Sequence, residues 1–216
     1  MTQAEAIADP RVHERLAEAT TWRLLGLLFE RPREGWWQDV EALGRAVTDP
    51  QIRAAADAAQ EEASEGPYLA LLGPGGLVSP REVTYRGMED PGRILADISA
   101  FYDAFAFQPE TEEAPDHLAV EAGFIGYLCL KEAYARARGN EEEAEVAATA
   151  AARFRAAHLS THTWPVAARL ETTGVRYLIL AATALATRSG PPRDTEVAVK
   201  PPLRLCDDCP MECGQE

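Results

Sequence analysis

The chain has 216 residues, and 35 acidic side chains against 21 basic ones give a formal net charge of −14. This length suits one large domain or two small ones, and it can bury a core that needs no metal, cofactor or disulfide bond to fold. An acidic chain lacks the clustered Lys and Arg that neutralise phosphates, so we expect no nucleic acid partner.

Residues 1–10 are polar and acidic and lack the apolar stretch of a secretory signal. The longest uncharged apolar run, residues 177–187, has 11 residues and is too short to cross a bilayer. We therefore expect a soluble, cytoplasmic protein with no membrane span.

Three Asp-Pro pairs, at 9–10, 49–50 and 90–91, are typical of helix starts, with Asp as the N-cap and Pro in the first helical position. The first two pairs, together with the apolar spacing, predict three helices in the first part of the chain, over about 10–31, 36–47 and 50–65, and the third pair begins the second part. Gly66-Pro67 and the Gly-Pro-rich stretch that follows predict a break. We place a connecting segment at about 66–90, between an N-terminal half at about 10–65 and a C-terminal half at about 91–188.

The second part of the chain is also helical in pattern. Helices are predicted over about 91–105, 116–138, 141–158, 165–171 and 173–188. No strand alternation persists and no repeat period emerges. The sequence therefore predicts an all-α protein, with a single helical-bundle domain over 1–188 and a flexible, irregular tail over 189–216 that contains Pro and Cys.

The segment Pro115-Asp116-His117-Leu118 stands at the start of the longest predicted helix. Pro115 restricts the entry to the helix, and Asp116 can cap the free N–H groups of the first turn. His117 lies in the first turn, where the helix dipole lowers the pKa of an imidazole. Taken alone, this pattern is typical of a capped helix start. Motifs for a catalytic serine, a phosphate-binding loop and a zinc protease are missing from the sequence, so we expect no enzyme.

Together with motifs elsewhere, this segment resembles the TorD-like family of redox-enzyme maturation chaperones, which includes the dimethyl sulfoxide reductase and nitrate reductase maturation proteins. The matching residues, in chain order, are Tyr68-x-x-Leu71, Gly73-Pro74-Gly75-Gly76, Ser79-Pro80-Arg81-Glu82 with Tyr85, Pro115-Asp116-His117-Leu118-x-x-Glu121-x-x-Phe124, Phe154-x-x-x-His158-Leu159 and Trp164-Pro165. The resemblance covers about residues 12–188. The sequence departs from the family at Ala122 and Gly123, where the family commonly has a large apolar residue and an acid, and at the four residues 160–163, which lengthen the spacing before Trp164. Gly123 inside a helix indicates either a close helix contact or a local opening.

The resemblance implies an all-helical chaperone without catalytic activity. Its partner would be the catalytic subunit of a molybdopterin-dependent oxidoreductase, of the nitrate-reductase-like or the dimethyl-sulfide- and ethylbenzene-dehydrogenase-like branch. Binding of the client's twin-arginine signal peptide or N-terminal segment would assist cofactor insertion before export. Pro115, Asp116 and His117 would line the client-binding region, with Glu121 and Tyr85 beside them. An acidic surface suits a basic leader, and apolar side chains can receive a helix. The client itself, a dimer formed by exchange of the halves, and nucleotide binding stay open.

Three cysteines, Cys206, Cys209 and Cys213, crowd the end of the chain. Zinc and iron–sulfur clusters prefer four ligands. A fourth ligand could come from His158 or His162, Asp207 or Asp208, Cys129, or a partner protein. The alternatives are reduced thiols in a disordered tail and a redox switch. A second function is thus a small metal- or iron–sulfur-binding protein that acts through its tail. The spacing of His158 and His162 permits metal binding on a helix, although we expect one of them to be packed and the other exposed.

Overall fold

The computed structural model describes residues 9–192. Within this range the chain is helical and forms no strand, which confirms the predicted all-α class. The α-helices are α1 Pro10–Leu28, α2 Trp36–Ala46, α3 Pro50–Glu62, α4 Glu65–Leu72, α5 Pro91–Ala104, α6 Leu118–Ala137, α7 Glu141–Phe154, α8 Ser160–Leu170 and α9 Arg176–Ser189. A 3-10 helix, Glu82–Tyr85, precedes α5, and a π-helical turn, Arg155–Leu159, joins α7 to α8. None of the helices in the described range is long and apolar enough to cross a bilayer.

The three Asp-Pro pairs begin α1, α3 and α5, as the sequence predicts. The Oδ1 atoms of Asp9, Asp49 and Asp90 each accept a backbone N–H two residues later, at 2.8, 2.9 and 2.7 Å. Each cap contributes about 0.5–2 kcal/mol relative to Ala. These helix starts are local features, because the capping carboxylate and the backbone N–H that donates to it lie within one turn.

The predicted break at Gly66-Pro67 is wrong. The helix α3 ends at Glu62, and Gly66 and Pro67 lie in the first turn of α4, Glu65–Leu72. A proline is tolerated there because the first N–H groups of a helix have no acceptor within the helix. The segment that we expected to connect the halves, about 66–90, therefore begins inside a helix.

The predicted helix start at Pro165 is also wrong. Pro165 lies inside α8, which continues from α7 through the π-helical turn. A π-helical turn inserts one extra residue without ending the helix. Residues 160–163, which lengthen this part of the sequence, are helical as well.

Among the helices of residues 9–192, α1 and α6 share the most extensive packing contact, and glycines allow their close approach. A Cβ atom on Gly26 would lie 2.8 Å from the carbonyl oxygen of Ala119, and one on Gly126 would lie 3.1 Å from that of Ala19. A Cβ on Gly123, in contrast, would meet nothing within 4 Å. Of the two interpretations of Gly123, the structure shows the local opening. Since α9 also packs on α3, helices from both predicted halves share one core.

Candidate functional site

The Pro-Asp-His-Leu segment is joined to the Ser-Pro-Arg-Glu segment, although about 35 residues separate them. The backbone N–H of Leu118 donates to the carbonyl oxygen of Pro80 at 3.0 Å, and that of Glu82 donates to Asp116 at 2.9 Å. These bonds flank an isolated antiparallel bridge. The two most distinctive motifs of the sequence thus form one unit at the start of α6.

The N-cap of α6 is His117 and not Asp116, so that prediction is wrong. The Nδ1 atom of His117 accepts the N–H of Ala119 at 3.1 Å. The Asp116 carboxylate is fully buried and points away from the first turn of α6, because the bridge directs it toward the 3-10 helix. There it accepts the Nε–H of Arg81 and, at 3.2 Å, the backbone N–H of Val83.

The imidazole of His117 is uncharged at neutral pH. Burial lowers its pKa to about 3, and the electrostatic interactions with His162 and with the Arg81 guanidinium act in the same direction. The direction agrees with the sequence analysis, but burial, and not the helix dipole, is the main cause. Since Nδ1 accepts a hydrogen bond, the ring proton lies on Nε2, which is 3.7 Å from Oε2 of Glu113.

Glu82 is a fully buried carboxylate with two partners. His158 Nδ1 lies 3.0 Å from its Oε2, and Arg86 donates to its Oε1 at 2.7 Å. Burial alone would raise the pKa of Glu82, but the hydrogen bond with His158 and the electrostatic interactions with His158, His162 and Arg86 outweigh burial and lower it. His158 is also buried, and its Nε2 lies 3.3 Å from the exposed carboxylate of Asp97.

Glu121 and His162 form the most enclosed part of this cluster. Both are fully buried, their nearest polar atoms are 4.0 Å apart, and no group within residues 9–192 hydrogen-bonds to either side chain. Burial, with the neighbouring charges of Glu82 and Asp116, raises the pKa of Glu121 well above its usual range. Burial lowers the pKa of His162 to about 4. His162 is therefore uncharged at neutral pH. Its ring stacks on Tyr85, with ring centroids 6.1 Å apart.

The structure brings the five residues predicted for client binding to one end of α6. Pro115 is exposed. Asp116, His117, Glu121 and Tyr85 are buried, with exposed fractions of 0–5%. Pro115 is thus the one of the five with an exposed side chain, and the role of these residues in client binding stays a prediction.

The expectation that one of His158 and His162 is exposed is wrong, since both are buried. Residues that the sequence analysis did not select complete this buried polar cluster. Arg86 pairs with Glu82, and the Tyr102 hydroxyl donates to the carbonyl oxygen of Pro115 at 2.8 Å. An arginine four residues after Glu82 is a helical ion-pair spacing that could have indicated the first contact.

A groove between α1 and α6 lies next to this cluster, and we call it the α1–α6 groove. Its cavity volume is about 630 Å³, and its wall includes Gly123, the glycine without a close neighbour. Leu16 on α1 and Leu130 on α6 line it and are 40% and 49% exposed. Glu110 lines one edge, at the start of the acidic loop 110–113. The sequence analysis missed this groove, although the opening at Gly123 was one of its alternatives.

The predicted metal ligands of the tail, Cys206, Cys209 and Cys213, lie outside the described residues. Within residues 9–192, no group of three or more His, Cys, Asp or Glu side chains could hold a metal ion. Cys129 is buried, and burial raises the pKa of its thiol to about 11. Zinc or iron–sulfur binding at the tail stays a prediction.

Comparison with known proteins defines the class to which this fold and site belong. The family model described as nitrate reductase delta subunit matches residues 31–167, and the chain belongs to this family. The resemblance to redox-enzyme maturation chaperones is thereby confirmed.

Two curated relatives are similar over 167 residues, which cover 74% of this chain and 80% of each relative. One is the chlorate reductase assembly chaperone protein of Ideonella dechloratans, at 30% identity. The other is the selenate reductase assembly chaperone protein of Thauera selenatis, at 32% identity.

Proposed function

We propose that this chain is a cytoplasmic assembly chaperone for the catalytic subunit of a molybdopterin-dependent oxidoreductase. It acts by reversible binding and not by catalysis. The family and the two named assembly chaperones support this role, and they favour an oxyanion reductase of the nitrate, chlorate or selenate type as the client. The chaperone holds the catalytic subunit while its cofactor is inserted, before export.

The observation that carries the proposal is the α1–α6 groove. An apolar groove of this size receives the apolar face of a helix, which is the form that the apolar part of a signal peptide or N-terminal segment adopts. Glu110, which begins the acidic loop 110–113, lies at one edge, where this loop attracts a basic leader. We assign the apolar part of the client segment to the groove and its basic part to this loop.

In this proposal the buried polar cluster positions the groove. Ala119 and Val120 line the groove, and they directly follow His117 and Leu118, which are hydrogen-bonded at the start of α6. Substitution of Asp116 leaves the Arg81 guanidinium without its partner and costs stability. Asp116 variants therefore do not separate client binding from folding.

The test uses exposed positions. We expect the full chain to bind a synthetic peptide of the first 40 or so residues of the catalytic subunit of a molybdenum reductase from the same host, measured by titration calorimetry. Leu130→Asp should weaken binding at least tenfold, since it places a charge on the apolar wall. The matched control is Val146→Asp on α7, which is similarly exposed but lies outside this groove.

A second experiment identifies the client directly. A pull-down from the native host, followed by mass spectrometry, should recover a large molybdenum-enzyme subunit with the wild-type chain and less of it with Leu130→Asp. Consistent absence of such a subunit, with the enzyme expressed, would contradict the proposal. Equal peptide affinity of the wild type and Leu130→Asp would contradict the assignment to the groove.

A further inference from the structure

The helix α5 is held in the fold mainly by long side chains. Its backbone makes few close approaches to other helices. Aromatic rings span the distance: the ring centroids of Phe101 and Phe154 are 5.3 Å apart, and those of Tyr102 and Phe124 are 4.8 Å apart. This spacing leaves an open channel between α5 and α7, with a cavity volume of about 800 Å³, which we call the α5–α7 groove.

The floor of the α5–α7 groove is apolar. Ala100 and Ala104 of α5 are exposed there, one helical turn apart, and Phe101 and Phe105 lie beside them. On the opposite wall, Val146 of α7 is 56% exposed. Small side chains on α5 let another backbone come close, and the rings and Val146 offer apolar surface to it.

Both edges of the α5–α7 groove carry carboxylates. Asp97 lies on the α5 side, with 66% of its side chain exposed, and Glu142 and Glu145 lie on the α7 side. Within residues 9–192, neither of these two glutamates takes part in an ion pair. Arg153 is the one cation among the described residues that line the groove. An occupant of this groove therefore meets negative charge along both flanks.

We propose that the α5–α7 groove docks a basic amphipathic helix of a partner protein. Its apolar stripe lies on the floor, and Arg or Lys side chains on its flanks pair with Asp97 on one side and with Glu142 and Glu145 on the other. A second copy of this chain is a poor occupant, because its net charge of −14 would be repelled by the carboxylates of the groove. The site shares no lining residue with the α1–α6 groove, so the proposal does not depend on the proposed function.

The test is a fluorescence-anisotropy titration of the full chain. The probe is a labelled 18-residue helical peptide with Leu along one face and Arg on both flanks, and a second probe carries Glu in place of every Arg. We expect the Arg peptide to bind and the Glu peptide not to bind. Val146→Asp and Glu145→Arg should each weaken binding of the Arg peptide at least tenfold.

Two control variants separate this groove from general attraction to an acidic protein. Glu171→Arg makes the same charge change at an exposed site outside the groove, and Leu130→Asp places a charge in the α1–α6 groove. Glu171→Arg should bind the Arg peptide as the wild type does, and any loss in Leu130→Asp should be smaller than the loss in Val146→Asp. Equal affinity in all variants, a loss in Leu130→Asp as large as in Val146→Asp, or no binding at all would overturn the proposal. Circular dichroism checks folding, and Glu145→Arg keeps the test decisive if Val146→Asp unfolds.

Discussion

The buried His162 of α8 should lower the stability of the folded protein at acidic pH. Burial lowers the pKa of His162 to about 4 in the folded chain, while an unfolded chain has the ordinary value of about 6.5. Stability from the neutral imidazole is therefore present above pH 6.5 and is lost as the pH falls toward 4. His162→Phe keeps a ring that can stack on Tyr85 and removes both nitrogen atoms that lack hydrogen-bond partners.

The magnitude follows from proton linkage. Between pH 7 and pH 5 the unfolded chain takes up a proton on His162 and the folded chain does not, which lowers the free energy of unfolding by about 2 kcal/mol. Glu121 acts in the opposite direction, because a raised pKa gives stability that is lost as the pH rises. The other charged neighbours are Glu82, Asp116 and Arg86, which remain in the variant. The difference between the wild type and His162→Phe in the pH dependence of the unfolding free energy therefore reports the contribution of His162.

Urea unfolding at a series of pH values from 7 to 5 measures these slopes. The wild type should lose about 2 kcal/mol more than His162→Phe over this interval, whatever the variant does to stability at pH 7. His13→Gln, at an exposed histidine of α1, is the control for substitution of an imidazole. Parallel pH profiles of the wild type and His162→Phe would refute the assignment of a neutral, buried His162.

Three further predictions concern packing, the ion pair and the tail. Gly26→Ala should cost about 1–3 kcal/mol, because its Cβ would clash with α6, whereas Gly123→Ala should be neutral or stabilise by up to about 1 kcal/mol, as chemical denaturation will show. Arg86→Met should cost about 3–5 kcal/mol because Glu82 loses its cationic partner, and Glu82→Gln in the same chain should recover part of this loss. The full chain should carry zinc or iron by elemental analysis, and a chain that ends at residue 200 should not. No stoichiometric metal in the full chain would exclude the metal-binding tail.

Much of the fold could be predicted from the sequence because its signals are local. The Asp-Pro pairs determine three helix starts through contacts within a single turn, and apolar spacing indicates the helical class. The same local reasoning failed at Gly66-Pro67 and Pro165. In the sequence alone, a proline indicates the end of a helix. In the structure, the first turn of α4 accommodates Pro67, and α8 accommodates Pro165 after a π-helical turn.

The candidate site was only partly accessible to such reasoning. The sequence by itself determined the helical class, the net charge and the Pro-Asp-His-Leu segment with its family resemblance. Only the tertiary structure decided that Asp116 turns away from the helix it was expected to cap, and that His158 meets Glu82 from 76 positions away in the chain. It also decided where two apolar grooves open between helices. The burial of a side chain, its protonation state and the position of a groove all depend on which distant segments pack together. A short stretch of sequence does not contain this information.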